Sequence, residues 1–188
     1  MNLTEEKNLA GCCGVYCGLC PRYQSTAASR CPGCKILSLT ISCKLYNCCV
    51  KKKGFETCAE CGEFPCDKYD KFFDWDSFIS HKVCLLNLEC IKKVGLKKWL
   101  GEQSKRRQAI ENLLANYNDG RSCSFFCVAI ALMPIDTITK AVNKANKIRV
   151  HNNVDESDLK GKAKILKSVI QDSALKSRID LKLRKKQK

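Results

Sequence analysis

CGVYCGLCPRY, residues 13–23, sets three thiols at C-x3-C-x2-C and follows them with Pro21, Arg22 and Tyr23. Thiols this dense serve as disulfide partners, as ligands of a metal or iron–sulfur cluster, or as the three-cysteine centre of enzymes that cleave S-adenosylmethionine. The start of the chain, MNLTEEKNLA, is polar and acidic and shows no apolar leader. The run FFCVAIALMPI is closed by Pro134, far short of the roughly 18 apolar residues of a membrane span. These features predict a cytoplasmic chain with reduced thiols and no membrane span. Its 16 cysteines then need a stabilising partner other than a disulfide, and metal is that partner.

Twelve of the 16 cysteines fall between Cys12 and Cys66. That segment is rich in Gly, Pro and short polar links and lacks long apolar periodic runs, so it has little from which to build a core. Metal ligation supplies the missing folding energy. Cys17/Cys20, Cys31/Cys34 and Cys58/Cys61 each have two residues between thiols, the spacing that lets one tight turn aim two sulfurs at one ion. Single cysteines at Cys13, Cys43, Cys48 and Cys66 join them. The set Cys17, Cys20, Cys31 and Cys34 has the form of a four-thiolate site, and Cys43, Cys48, Cys58, Cys61 and Cys66 suffice for a second. An interleaved grouping satisfies the same count. In the doublets Cys12/Cys13 and Cys48/Cys49, adjacent side chains point apart, so one of each pair is expected to ligate and the other to pack.

Soft thiolates suit zinc and iron–sulfur clusters alike. Zinc at two or more sites is the reading for a small structural module. A [4Fe-4S] cluster, in electron transfer or cluster-dependent catalysis, is the alternative, favoured by the dense runs CGVYCGLCP and CAECGEFPC with their nearby prolines. Residues 24–84 lack the strand–helix alternation of the barrel that S-adenosylmethionine cleavage uses. With His81 and His151 the only histidines, an H-E-x-x-H zinc centre is excluded. No nucleophile–base pair, phosphate-binding glycine loop or spaced carboxylate pair is present. Asp67, Asp70, Asp74 and Asp76 in DKYDKFFDWD read as the wet face of a helix, and His81 as a surface or capping residue.

The ordered motifs CGVYCGLCPRY, CPGC, SCKLYNC and KKKGFETCAECGEFPC, with WL downstream, resemble the cysteine-rich domain of unknown function 3795 family of bacteria and archaea, most closely over residues 12–70. The resemblance implies a metal-binding module common in anaerobes, with Cys13, Cys17, Cys20, Cys31, Cys34, Cys43, Cys48, Cys58, Cys61 and Cys66 as the residues that matter, and it brings no activity. It gives no guidance on Cys12, Cys49, Cys84, Cys90, Cys123 and Cys127.

From about residue 84 the pattern becomes helical. Trp99, Gln103, Ile110, Leu113 and Tyr117 mark an amphipathic helix over LKKWLGEQSKRRQAIENLLANY, preceded by a shorter one that stops near Gly95. Further helices are predicted over SFFCVAIAL, over IDTITKAVNKANKI, and through Leu159, Ala163, Leu166 and Ile170. Cys123 and Cys127 share a helix face and read as core residues. In RIDLKLRKK, alternation of Ile179, Leu181 and Leu183 against charged residues predicts a half-buried strand. The expected fold is mainly α: a cysteine-rich metal knot with loop or ribbon structure in residues 1–84, packed on a basic helical body, residues 85–188, that ends in a β-strand.

The net charge of +15 is uneven: residues 1–84 hold 11 basic against 9 acidic side chains, a balance of +2, which leaves +13 for the rest. That asymmetry points to a polyanion such as nucleic acid, with Lys97, Lys98, Arg106, Arg107, Arg184 and Lys185 as its contacts.

Overall fold

The computed structural model describes residues 3–38 and 42–186. Six helices of seven residues or more carry it: α1 (Leu3–Leu9), α2 (Cys84–Val94), α3 (Leu96–Tyr117), α4 (Cys123–Leu132), α5 (Ile135–His151) and α6 (Leu159–Lys176). Between α1 and α2 the chain forms single helical turns joined by loops. None of the described helices is long and apolar enough to cross a membrane.

Each helix predicted from residue 84 onward is found where its apolar period placed it. α3 buries all five of its stripe residues, Trp99, Gln103, Ile110, Leu113 and Tyr117. Gly95, at φ +83, ends α2 in a conformation that costs a side chain but not a glycine. Pro134 separates α4 from α5, since its ring cannot continue a helix.

The predicted C-terminal strand is absent. Residues 179–186 form no regular secondary structure, and β-type pairing among the described residues is confined to one bridge, Ala10 to Tyr16. An alternating pattern makes a strand only when a neighbouring strand offers a ladder of donors and acceptors. At Arg184 the backbone meets a single residue rather than a strand: Arg184 N–H donates to the Asp76 carboxylate at 2.7 Å, and Asp76 N–H donates to the Arg184 carbonyl at 2.9 Å. The Arg184 guanidinium completes the clasp, 2.7 Å from the same carboxylate. Asp76 therefore belongs to no wet helical face. Asp67, Asp70 and Asp74 are exposed, but residues 70–80 contain no helix.

The chain divides into two compact units, one running to Arg107 and including the end from Leu183, the other Gln108–Lys182. In the first, α1 is anchored by Glu6, which is fully buried, accepts a hydrogen bond from the Tyr16 hydroxyl and pairs with Arg107 at 2.9 Å. Burial, then Glu6, pushes the Tyr16 phenol well above its ordinary pKa. Tyr16 meets Trp99 edge to face at 6.0 Å. In the second unit α5 and α6 pack along each other. Ala141, Ala145, Ala163 and Ala174 let them approach closely, while Phe126, Ile130, Leu166 and Ile170 fill the core. Each of these large buried side chains contributes on the order of 1.5–3 kcal/mol.

Candidate metal centre

The turn that carries Cys12 and Cys13 is closed by Gly14 N–H to the Gly11 carbonyl at 3.0 Å and by Gly11 N–H to the Val15 carbonyl at 2.8 Å. Gly14 has φ +91, and a Cβ there would stand 2.4 Å from the Cys84 carbonyl oxygen. The loop thus lies directly on the start of α2, where Asn87 Nδ2 donates to the Gly14 carbonyl at 2.8 Å. Adjacent residues on so tight a turn point apart. Cys12 is buried, while Cys13 remains half-buried and interacts with the buried Cys84.

Cys12 meets two other thiols. Its carbonyl accepts from Cys58 N–H at 2.9 Å, which ties the first cysteine loop to the third. Cys58 opens a short 3-10 turn held by a reciprocal cap, in which the Thr57 N–H donates to the Glu60 carboxylate at 2.8 Å. Cys49 comes from a wide π-helical stretch, Asn47–Lys52, and is buried there while Cys48 stays half-buried. The Sγ atoms of Cys12, Cys49 and Cys58 all lie within 4.8 Å of one another. All 16 cysteines are free thiols, so no disulfide accounts for the approach.

The trio's electrostatics suit a cation. Hydrogen bonds from Cys12 and Cys49 draw the Cys58 pKa down to about 3 against the opposing effect of burial. Cys12 is pushed far up by its contacts with Cys49 and Cys58 and by burial. Cys12 draws Cys49 down, but Cys58 and burial outweigh it and leave that thiol at about 12. Of the three, Cys58 gives up its proton most readily, and a divalent ion would displace the protons of the others.

The other predicted ligands are partly assembled. Cys34 N–H donates to Cys17 Sγ at 3.2 Å, and the Cys17 thiol draws Cys34 down to about 7 while Cys17 itself is raised. Burial raises Cys20 even though the Arg22 and Tyr23 amides point at its sulfur, the arrangement of a metal knuckle. No third ligand atom joins the Cys17–Cys34 pair within 4.8 Å of both among the described residues. Cys48, Cys61 and Cys66 line a cavity of about 20 Å³ with Cys49 and Cys58. Lys53 Nζ approaches Cys61 Sγ at 3.1 Å and is raised first by that contact. The buried Tyr69 hydroxyl at this cavity lowers the Cys58 pKa yet makes no hydrogen bond of regular geometry among the described residues. Cys43 lines a second cavity, of about 190 Å³, with Cys12, Cys13, Cys34 and His81.

His81 is buried, not a surface residue. Its ring stacks on Phe72 at 4.3 Å, Nδ1 lies 3.1 Å from the Phe72 carbonyl, and Nε2 lies 3.2 Å from Ser77 Oγ. A carbonyl only accepts, so Nδ1 carries a proton and donates to Phe72. Among the predicted polyanion contacts, Lys97, Lys98 and Lys185 are exposed and Arg106 is half-buried. Arg107 is engaged by Glu5 and Glu6, and Arg184 by Asp76.

Residues 9–71 match the family described as Protein of unknown function (DUF3795), which contains the trio and all ten cysteines singled out by spacing. No curated protein and no solved structure matches the chain.

Proposed function

We propose that residues 12–66 form a thiolate metal centre of the zinc type, with Cys12, Cys49 and Cys58 gripping one ion, and that this centre is the structural core of an interaction module. The observation that carries the reading is the mutual approach of three buried sulfurs, from three separate loops, to within 4.8 Å. Sulfurs around a single tetrahedral ion stand roughly 3.8 Å apart, given a Zn–S bond of about 2.3 Å. On a cluster each sulfur holds a different iron, which sets them farther apart. A zinc ion also fits a fold whose first unit has short helices and many loops.

The test is metal analysis of the protein purified without oxygen from medium containing both zinc and iron. A colourless protein that retains zinc is expected. Cys12→Ser, Cys49→Ser and Cys58→Ser should each lower the bound zinc by one ion, while Cys90→Ser, at an exposed position on α2, leaves it unchanged. A brown protein rich in iron and sulfide would place the cluster reading first. For the interaction itself, exposed Lys92, Lys93, Lys97 and Lys98 crowd around the Gly95 break and make that corner the contact for a polyanion. Nucleic-acid retention that disappears in the fourfold alanine variant, and weakens with salt, is the expected outcome. No retention at low salt removes this part of the reading.

A further inference from the structure

The second unit holds a thiol pair outside the stretch that matches the family. Cys123 opens α4 and Cys127 lies one turn on, with their Sγ atoms 4.0 Å apart. Both positions read from sequence as core. Cys127 is indeed buried, but Cys123 is only half-buried, so the pair is reachable from solvent at one sulfur. Ser122 and Phe126, which flank Cys123 on this turn, are fully buried and hold the backbone in place.

Two sulfurs sharing one ion stand roughly 3.8 Å apart at a tetrahedral angle and farther as the angle opens. The 4.0 Å spacing lies between the tetrahedral and the linear limits, so a small turn of the two side chains, with the helix itself unchanged, seats a shared ion. A disulfide would need Cβ atoms within about 4.5 Å, whereas neighbours one helical turn apart hold theirs at about 5–6 Å. Among the described residues no third Cys, His, Asp or Glu ligand atom lies within 4.8 Å of both sulfurs. Zinc, which takes four ligands, is left half-coordinated by such a pair. A soft monovalent cation satisfied by two thiolates is not. The position is favourable too, because Cys123 stands in the first turn of α4, at the end of the helix where a thiolate is stabilised.

We propose that Cys123 and Cys127 form a second thiol site, independent of the cysteine-rich region, that binds one soft monovalent cation of the cuprous class between their two sulfurs. Binding releases whatever protons the two thiols still hold and changes no oxidation state.

The experiment uses the full-length protein under argon, with and without cuprous ion supplied from a buffering chelator. It is then pulsed with a maleimide and digested with trypsin, and cleavage after Arg121 and Lys140 releases both cysteines in one peptide, residues 122–140. Cuprous ion is expected to slow alkylation of Cys123 by at least about tenfold, and Cys127→Ala should abolish that protection. Equal alkylation with and without the ion overturns the proposal in the unaltered protein, whether or not the variant folds. Protection that persists in Cys127→Ala overturns the paired site. The peptide is read separately from those of residues 12–66, so this result stands apart from the fate of the zinc-type centre.

Discussion

Asp76 carries its charge inside the protein and shows what a single buried carboxylate needs. Burial alone would raise its pKa, but hydrogen bonds from the Arg184 side chain and backbone and from the His81 amide bring it down to about 2, against 3.8 ordinarily. The folded pKa lies below the unfolded one. Its stabilisation is therefore complete above about pH 4 and is lost as the pH falls towards 2. Asp76→Asn should cost about 2 kcal/mol in urea unfolding at neutral pH, with the deficit shrinking across that acid window. A deficit that stays constant with pH would show that the charge is not what matters. Residue identity was partly legible beforehand. The spacing of Cys58 and Cys61 marked a ligating turn, and Cys58 is in the trio. Cys12 and Cys49 were hidden in doublets, where spacing cannot tell which neighbour faces inward. That choice is made by the Gly11–Val15 turn and by the π-helical widening at Asn47–Lys52, and both depend on what packs around them. His81 was misread for a related reason, because Phe72 and Ser77 converge on it only in three dimensions.

At the scale of elements, legibility follows the range of the interaction. α3 through α6 declare themselves because a helix satisfies its backbone within its own span, so apolar period and flanking Gly or Pro suffice. The stretch after Ser177 has the period of a strand, but no strand lies beside it among the described residues, and no local pattern reports that absence. Junctions between elements are equally silent: the contact of the first cysteine loop with α2 rests on Gly14. Gly14→Ala would force a Cβ against the Cys84 carbonyl and Leu88 at a positive φ, with backbone on one side that cannot turn away. A loss of about 3 kcal/mol is expected in chemical denaturation. Gly62→Ala has open space around it and serves as the control. Equal stability of the two variants would mean that the loop does not depend on this close approach.

For the molecule as a whole, the two units call on different sources of stability. Residues 108–182 bury a set of large and small apolar side chains on the end of α3 and on α4, α5 and α6, enough for an ordinary core. The first unit devotes much of its interior to sulfur, and under the proposed thiolate centre its stability should follow bound metal. Stripping ions with a strong chelator is expected to abolish near-ultraviolet circular dichroism from the tyrosines and Trp99 of the first unit while leaving most far-ultraviolet helical signal. Restoring zinc should bring the lost signal back. An unchanged near-ultraviolet spectrum after complete removal would mean that protein packing alone holds this unit. The clasp between Asp76 and Arg184 also imposes an order on biosynthesis. Its two halves are 108 residues apart in the chain, so at ordinary translation speeds of about 5–20 residues per second the carboxylate waits about 5–20 seconds for its guanidinium. Every thiol of the nascent chain has been made before that lock arrives, so the last residues to be synthesised close a contact laid down long before them.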